Sequence, residues 1–83
     1  MAEPRLGDWL TGMQRQAVES STLASIGYDE GLGVLEVEFK NGRVYQYFMV
    51  PAALYEQLLS STSKGSFYLE EIRGKFPYRE FPP

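Results

Sequence analysis

The pair Asn41-Gly42, set between two runs of alternating side chains, limits what this chain can fold into more than any other stretch. Apolar and polar residues alternate from Leu35 to Lys40 and again from Arg43 to Phe48, the period of a strand. Asn and Gly tolerate the positive φ that a type I′ turn needs at both central positions, so the stretch predicts a tight β-hairpin with a two-residue loop. That loop pairs Lys40 with Arg43, Phe39 with Val44, Glu38 with Tyr45, Val37 with Gln46, Glu36 with Tyr47 and Leu35 with Phe48. One face then carries Leu35, Val37, Phe39, Val44, Gln46 and Phe48, an apolar surface with one polar exception. The other carries Lys40, Arg43, Tyr45, Tyr47 and Met49 against Val34, Glu36 and Glu38. Four charges without specified partners are too costly to bury, so this second face is expected to be wet, with Tyr45 and Tyr47 side by side on it.

Around the hairpin, Leu23 to Tyr28 reads as a preceding strand that ends at the turn Asp29-Glu30-Gly31-Leu32-Gly33. Leu23 and Ile26 are three apart and cannot share a face under strict alternation, so a β-bulge near Ser25 is expected. Upstream, Asp8 is a plausible N-cap for a helix carrying Trp9, Leu10, Met13, Ala17 and Val18 at near-helical spacing, with Gly12 a weak point inside it. Downstream, Val50-Pro51 starts a helix over Ala52 to Leu59, with Leu54, Tyr55, Leu58 and Leu59 turned inward. A last helix is expected from about Phe67 to Arg73, capped by Ser63 or Ser66, with Glu70-Glu71 in its early turns and Gly74 closing it. Pro77, Pro82 and Pro83 keep the final residues extended. The sum is an α+β fold: a three-stranded antiparallel β-meander with two C-terminal helices packed on one face and an additional N-terminal helix.

Composition narrows the chemistry. With 83 residues there is room for one domain, and one this small buries only about 60–65% of the surface its unfolded chain exposes. The sequence has no Cys and no His, which removes disulfides, thiolate chemistry, Cys/His zinc sites and imidazole acid–base catalysis. The adjacent pairs Asp29-Glu30 and Glu70-Glu71 lack the facing geometry that carboxylate catalysis needs, and Ser20, Ser21 and Ser63 lack a histidine partner. No enzyme activity, cofactor or metal is expected. No apolar run approaches the roughly 20 residues of a membrane span, and Met1 to Arg5 lacks the order of a signal peptide, so a cytoplasmic location is expected.

Several of these positions together resemble a known module. Ser20-Ser21, Ile26-Gly27-Tyr28-Asp29, the alternation Leu35, Val37, Phe39 with Gly42, then Tyr45, Tyr47 and Val50-Pro51 are similar to the KTSC domain, found at the carboxy terminus of some lysyl-tRNA synthetases. Tyr55, Leu58, Ser63, Gly65, Phe67, Ile72-Arg73 and Phe76 extend the pattern. The resemblance implies a stand-alone KTSC protein of bacterial or phage type, with RNA, either tRNA or single-stranded, as the suggested partner. On this reading residues 1–17 are a partly helical extension, 18–78 the KTSC-like domain and 79–83 an extended Pro-rich tail.

Candidate binding residues follow. Tyr45 and Tyr47, as adjacent aromatics on an open sheet, are able to stack successive bases. Their alternative role is packing across the strands. Arg73 and Lys75, interleaved with Phe76 and Tyr78, with Lys64 and Arg43, supply the cations for phosphate contact. Against this stands a net charge of −3, the acids concentrated before Lys40. The competing function is a protein-interaction module or small homodimer that uses the open sheet face or a free edge strand.

Overall fold

A computed structural model describes residues 13–81 of the chain, and in it the reversal after Phe39 takes three residues, not two. The Phe39 N–H donates to the Arg43 carbonyl at 2.8 Å and the Gly42 N–H to the Phe39 carbonyl at 2.9 Å. Gly42 alone supplies the positive φ (90°), while the Asn41 side chain accepts the Arg43 N–H at 2.9 Å. This geometry, a turn closed by a left-handed glycine, uses the same Asn-Gly pair as the expected type I′ turn but one residue more of loop. Leu35 therefore pairs with Tyr47, Glu36 with Gln46, Val37 with Tyr45 and Glu38 with Val44. Each expected pair is displaced by one residue, so every side chain of the second strand changes face. Tyr45 and Tyr47 join Leu35, Val37 and Phe39, and Val44 and Gln46 move across to join Glu36 and Glu38. The odd polar residue on the expected core face, Gln46, was the mark of this displacement.

Among the described residues five strands, not three, form one antiparallel sheet: β1 Gln16–Ala17, β2 Leu23–Asp29, β3 Val34–Phe39, β4 Val44–Tyr47 and β5 Tyr78–Phe81, in the order β1-β2-β3-β4-β5. The meander at its centre is as expected, and β2 carries an irregularity between Leu23 and Ser25 that puts both Leu23 and Ile26 into the core. The two added strands occupy the edges. Gln16 and Ala17, expected in a helix, instead pair with Ile26 and Ser25; Met13 to Arg15 and Val18 are not helical either, and the start of that expected helix, from Asp8 to Gly12, lies outside the described residues. At the far edge β5 pairs Tyr78 with Tyr47, Arg79 with Gln46, Glu80 with Tyr45 and Phe81 with Val44. Proline constrains the ends of this segment without preventing the residues between from joining a ladder.

Between β4 and β5 lie α1, Ala52–Ser60, and α2, Lys64–Glu71. Pro51 stands at the N-cap of α1 rather than inside it, in an extended conformation that suits the residue before a helix. α2 begins three residues earlier than expected, with Ser63 at its N-cap, so Glu70 and Glu71 fall in the last turn and not the first. There the dipole opposes them. Gly74, at φ 76°, turns the chain away as expected.

Both helices cover the face that holds the aromatic residues of β4. Leu23, Ile26, Leu35 and Val37 are wholly buried there with Leu58 of α1 and Ile72, and Tyr47, Val50 and Tyr68 complete the cluster. Tyr28 stacks on Tyr55 with ring centroids 4.8 Å apart, and its hydroxyl donates to the Val50 carbonyl, which fixes α1 on the sheet. Among the described residues no helix is long and apolar enough to cross a membrane.

The opposite face is also closed, but with charge. Glu36 and the Arg15 side chain are both wholly buried, with Arg15 Nε 3.3 Å from Glu36 Oε2. Gln46 Nε2 donates to Glu36 Oε1 at 2.8 Å, and Arg79 Nε donates to Gln46 Oε1 at 3.0 Å. These groups lie in one row, because Gly27, Glu36, Gln46 and Arg79 are register partners across β2 to β5. Gly27 keeps the row passable: a Cβ there would stand 2.5 Å from the Gln14 carbonyl oxygen and 2.9 Å from Arg15 Cγ. The wet tyrosine face expected from the two-residue loop does not exist. Glu36 is buried, Glu38 is partly buried, and the tyrosines are on the other side.

Candidate functional site

Where the helix-covered face reaches the β4–β5 edge, the packing opens into a cleft of about 480 Å³. Its floor is a run of rings. Tyr47 is 2% exposed and shares a hydrogen bond with the hydroxyl of Tyr68. Phe39 meets Tyr45 edge-on at 5.6 Å and Tyr68 at 5.2 Å, while Tyr78 lies 5.8 Å from Tyr45 and 5.7 Å from Tyr47. Tyr45 is half-buried among them, and Tyr78, at 61% exposure, is the ring most open to water. Four elements supply these rings, so the cleft depends on the displaced register, on α2 and on β5 together.

The electrostatics of the floor and rim differ. Burial raises the hydroxyl pKa of both Tyr47 and Tyr68, so the pair stays protonated and neutral through the physiological range. At the rim are Arg43, in the turn before β4, and Arg73, after α2. Hydrogen bonding to Tyr45, and next the charge of Glu80, hold the Arg43 guanidinium still more firmly protonated. The Arg43–Glu80 pair is long, 3.8 Å, and its side chains are 62% and 41% exposed, so it is weak and easily exchanged for another anion.

Of the expected site residues, the structure gathers Tyr45, Tyr47, Arg43 and Arg73 around this one cleft. Tyr47 forms part of its buried floor and is not the exposed stacking surface expected of it. Lys64 and Lys75 are not in the cleft lining. Lys64 Nζ donates to the Ser61 carbonyl at 3.0 Å and so satisfies the chain between the helices. Gly65, one of the positions that carry the family pattern, allows close approach to Thr22, whose Oγ1 would lie 3.3 Å from an added Cβ. Tyr68 was legible only as a position within the expected last helix, and Tyr78 only as a tail aromatic. Tyr78-Arg79-Glu80-Phe81 does not alternate apolar with polar residues, so no local pattern marked this tail as the strand that presents Tyr78 to the cleft.

A second hollow, about 560 Å³, lies on the other side near the β2–β3 turn and brings Arg79 together with Asp29 and Glu30. Its acids disfavour a polyanion, whereas the first cleft has cations and rings. Among the described residues no group of three or more acidic side chains converges as a metal site would require.

The KTSC domain pattern matches residues 19–76. The crystal structure of a KTSC domain protein from Yersinia pestis superposes with a TM-score of 0.78 at 45% identity, covering 82% of this chain and 96% of that one. An uncharacterized protein of Stutzerimonas stutzeri is 43% identical over 56 residues, 68% of this chain and 79% of its own length. A lysine–tRNA ligase of Nostoc punctiforme is 36% identical over 62 residues, 75% of this chain. The matched part is only 11% of that ligase's length.

Proposed function

This chain belongs to the KTSC domain family, and from that premise we propose that it is a non-catalytic, cytoplasmic RNA-binding module whose contact surface is the aromatic cleft. The observation that carries the reading is the pairing of an open ring, Tyr78, with two guanidinium groups, Arg43 and Arg73, around one hollow. Rings hold unpaired bases by stacking, and guanidinium groups donate paired N–H bonds to phosphate oxygens. The kinship with part of a lysine–tRNA ligase adds support, since that protein is named for a tRNA substrate. Lys64 and Lys75 contribute at most to the surrounding field, from outside the cleft.

With a net charge of −3 and two cations at the cleft, affinity is modest and salt-sensitive. Fluorescence anisotropy with labelled single-stranded RNA and with tRNA tests the reading. The expected result is binding at low salt that weakens with a slope of about −0.7 to −1.4 in log K against log salt, from one or two neutralised phosphates. Arg43→Glu combined with Arg73→Glu abolishes it. Absence of binding at low salt overturns the proposal.

A second reading rests on β5, which among the described residues pairs on one side alone, with β4, and exposes Tyr78 and Arg79 at the edge of the sheet. Such an edge is a template for strand addition by another protein or a second copy. Light scattering separates the two: a dimer that Arg79→Pro converts to monomer favours the edge, and a monomer at all concentrations removes self-association.

A further inference from the structure

Resting on the RNA-binding reading, we infer that the cleft holds a single unpaired nucleotide, with its base on Tyr78 and its phosphate between Arg43 and Arg73, and not a run of stacked bases. The ring geometry limits the number. Tyr47 and Tyr68 are 2% and 5% exposed, so neither has a face to offer. Tyr45 already meets Phe39 at 5.6 Å, Tyr47 at 6.4 Å and Tyr78 at 5.8 Å, so its surroundings are occupied on several sides. Tyr78 leans on Tyr47 with one side, 5.7 Å away and 31° from parallel, and is 61% exposed on what remains. One platform is left.

Size and charge agree with that count. A volume of about 480 Å³ belongs to the small-ligand range of roughly 300–1,000 Å³. The two arginines come from different segments, the turn before β4 and the segment after α2, yet line the same hollow, which lets one phosphate group between them engage both. Arg43 is released for this by giving up its long, exposed contact with Glu80. Since every base has a π-face and stacking supplies the contact to the ring, base identity matters little.

Chemical-shift titration of the full chain with adenosine 5′-monophosphate, adenosine, inorganic phosphate and a hexa-adenylate tests this. The mononucleotide is expected to shift Arg43, Tyr45, Arg73 and Tyr78 and to bind about ten-fold more tightly than adenosine or phosphate alone. The hexamer should gain no more than about ten-fold over the mononucleotide, the statistical factor of one site on several equivalent units. Tyr78→Ala should weaken both about ten-fold, with Tyr78→Phe within about two-fold of the parent. Arg73→Gln, outside the helices, provides a second loss variant that does not touch the sheet. A hexamer that binds through the cleft more than about a hundred-fold more tightly than the mononucleotide, unaffected by Tyr78→Ala, overturns the single-nucleotide site and leaves the RNA reading standing. No shift with either ligand overturns both.

Discussion

On the helix-covered face, Leu35 and Val37 are closed in by Leu58 and Ile72, side chains that pack without directional demands; on the opposite face, Glu36 is closed in by Arg15 and Gln46, each at a hydrogen-bonding or ion-pair distance. Both faces are dry, but for opposite reasons. An apolar face tolerates exchange of one shape for another of similar volume, while a buried charge is stable only with its partners in place. The apolar side also ends in tyrosines at the β4–β5 edge, and that is where it opens. The same alternation of side chains in β4 thus serves two ends, with Gln46 completing a charge row on one side and Tyr45 and Tyr47 building a cleft on the other.

The contrast is broken most severely by Glu36→Ala, which leaves the Arg15 guanidinium buried beside an apolar methyl and should cost about 3–5 kcal/mol in chemical denaturation. Leu58→Ala removes a wholly buried side chain and should cost about 2–5 kcal/mol, with Leu58→Met below about 1.5. If Glu36→Ala proves milder than Leu58→Ala, the charged row is decoration and the comparison fails. Gly27→Ala sharpens it further. The added Cβ would meet the Gln14 carbonyl oxygen at 2.5 Å, forcing the segment that carries Arg15 off the sheet at a cost of about 1–3 kcal/mol.

Smaller effects belong to the cleft side. Tyr47→Phe removes the hydroxyl shared with Tyr68 and should cost about 0.5–1.5 kcal/mol near neutral pH. Its pH dependence has a definite sign. Burial raises the Tyr47 pKa in the fold, so the folded chain holds this proton more tightly than the unfolded one. The resulting stability is fully present below about pH 10, the unfolded tyrosine value, and is lost as pH rises above it. The parent should therefore lose stability in alkali more steeply than Tyr47→Phe, as read from denaturation midpoints between pH 9 and 11. Smallest of all, Arg43→Ala should leave the melting temperature unchanged at any salt concentration, because its contact with Glu80 is exposed.

The central meander, both downstream helices and the bulge in β2 were legible in the sequence because each rests on local signals: alternation, Pro51, Gly74, and the three-residue spacing of Leu23 and Ile26. The loop length was not. Asn41-Gly42 serves a two-residue turn with both residues left-handed and equally a three-residue turn in which Gly42 alone is. Either choice leaves an amphipathic β4, with Val44, Gln46 and Phe48 inward or Tyr45 and Tyr47 inward. Tertiary context decides, through Arg15 and Arg79, which need Glu36 and Gln46 on one side, and Tyr68, which needs Tyr47 on the other. For the site, the residue types were readable, and four of the six expected residues meet in one cleft. Tyr78 was underweighted because strand pairing over so few residues, next to prolines, has little local signature.

Both faces and the cleft rest on how β3 lies against β4, and backbone proton contacts read that directly. Because Phe39 bonds Arg43 across the turn, the close, non-hydrogen-bonded pairs of this ladder are Glu38 with Val44 and Glu36 with Gln46. Strong Hα–Hα nuclear Overhauser contacts are predicted for those two pairs. Contacts between Phe39 and Val44, and between Val37 and Gln46, would contradict the account: they would move Tyr45 and Tyr47 off the helix side and take the cleft with them.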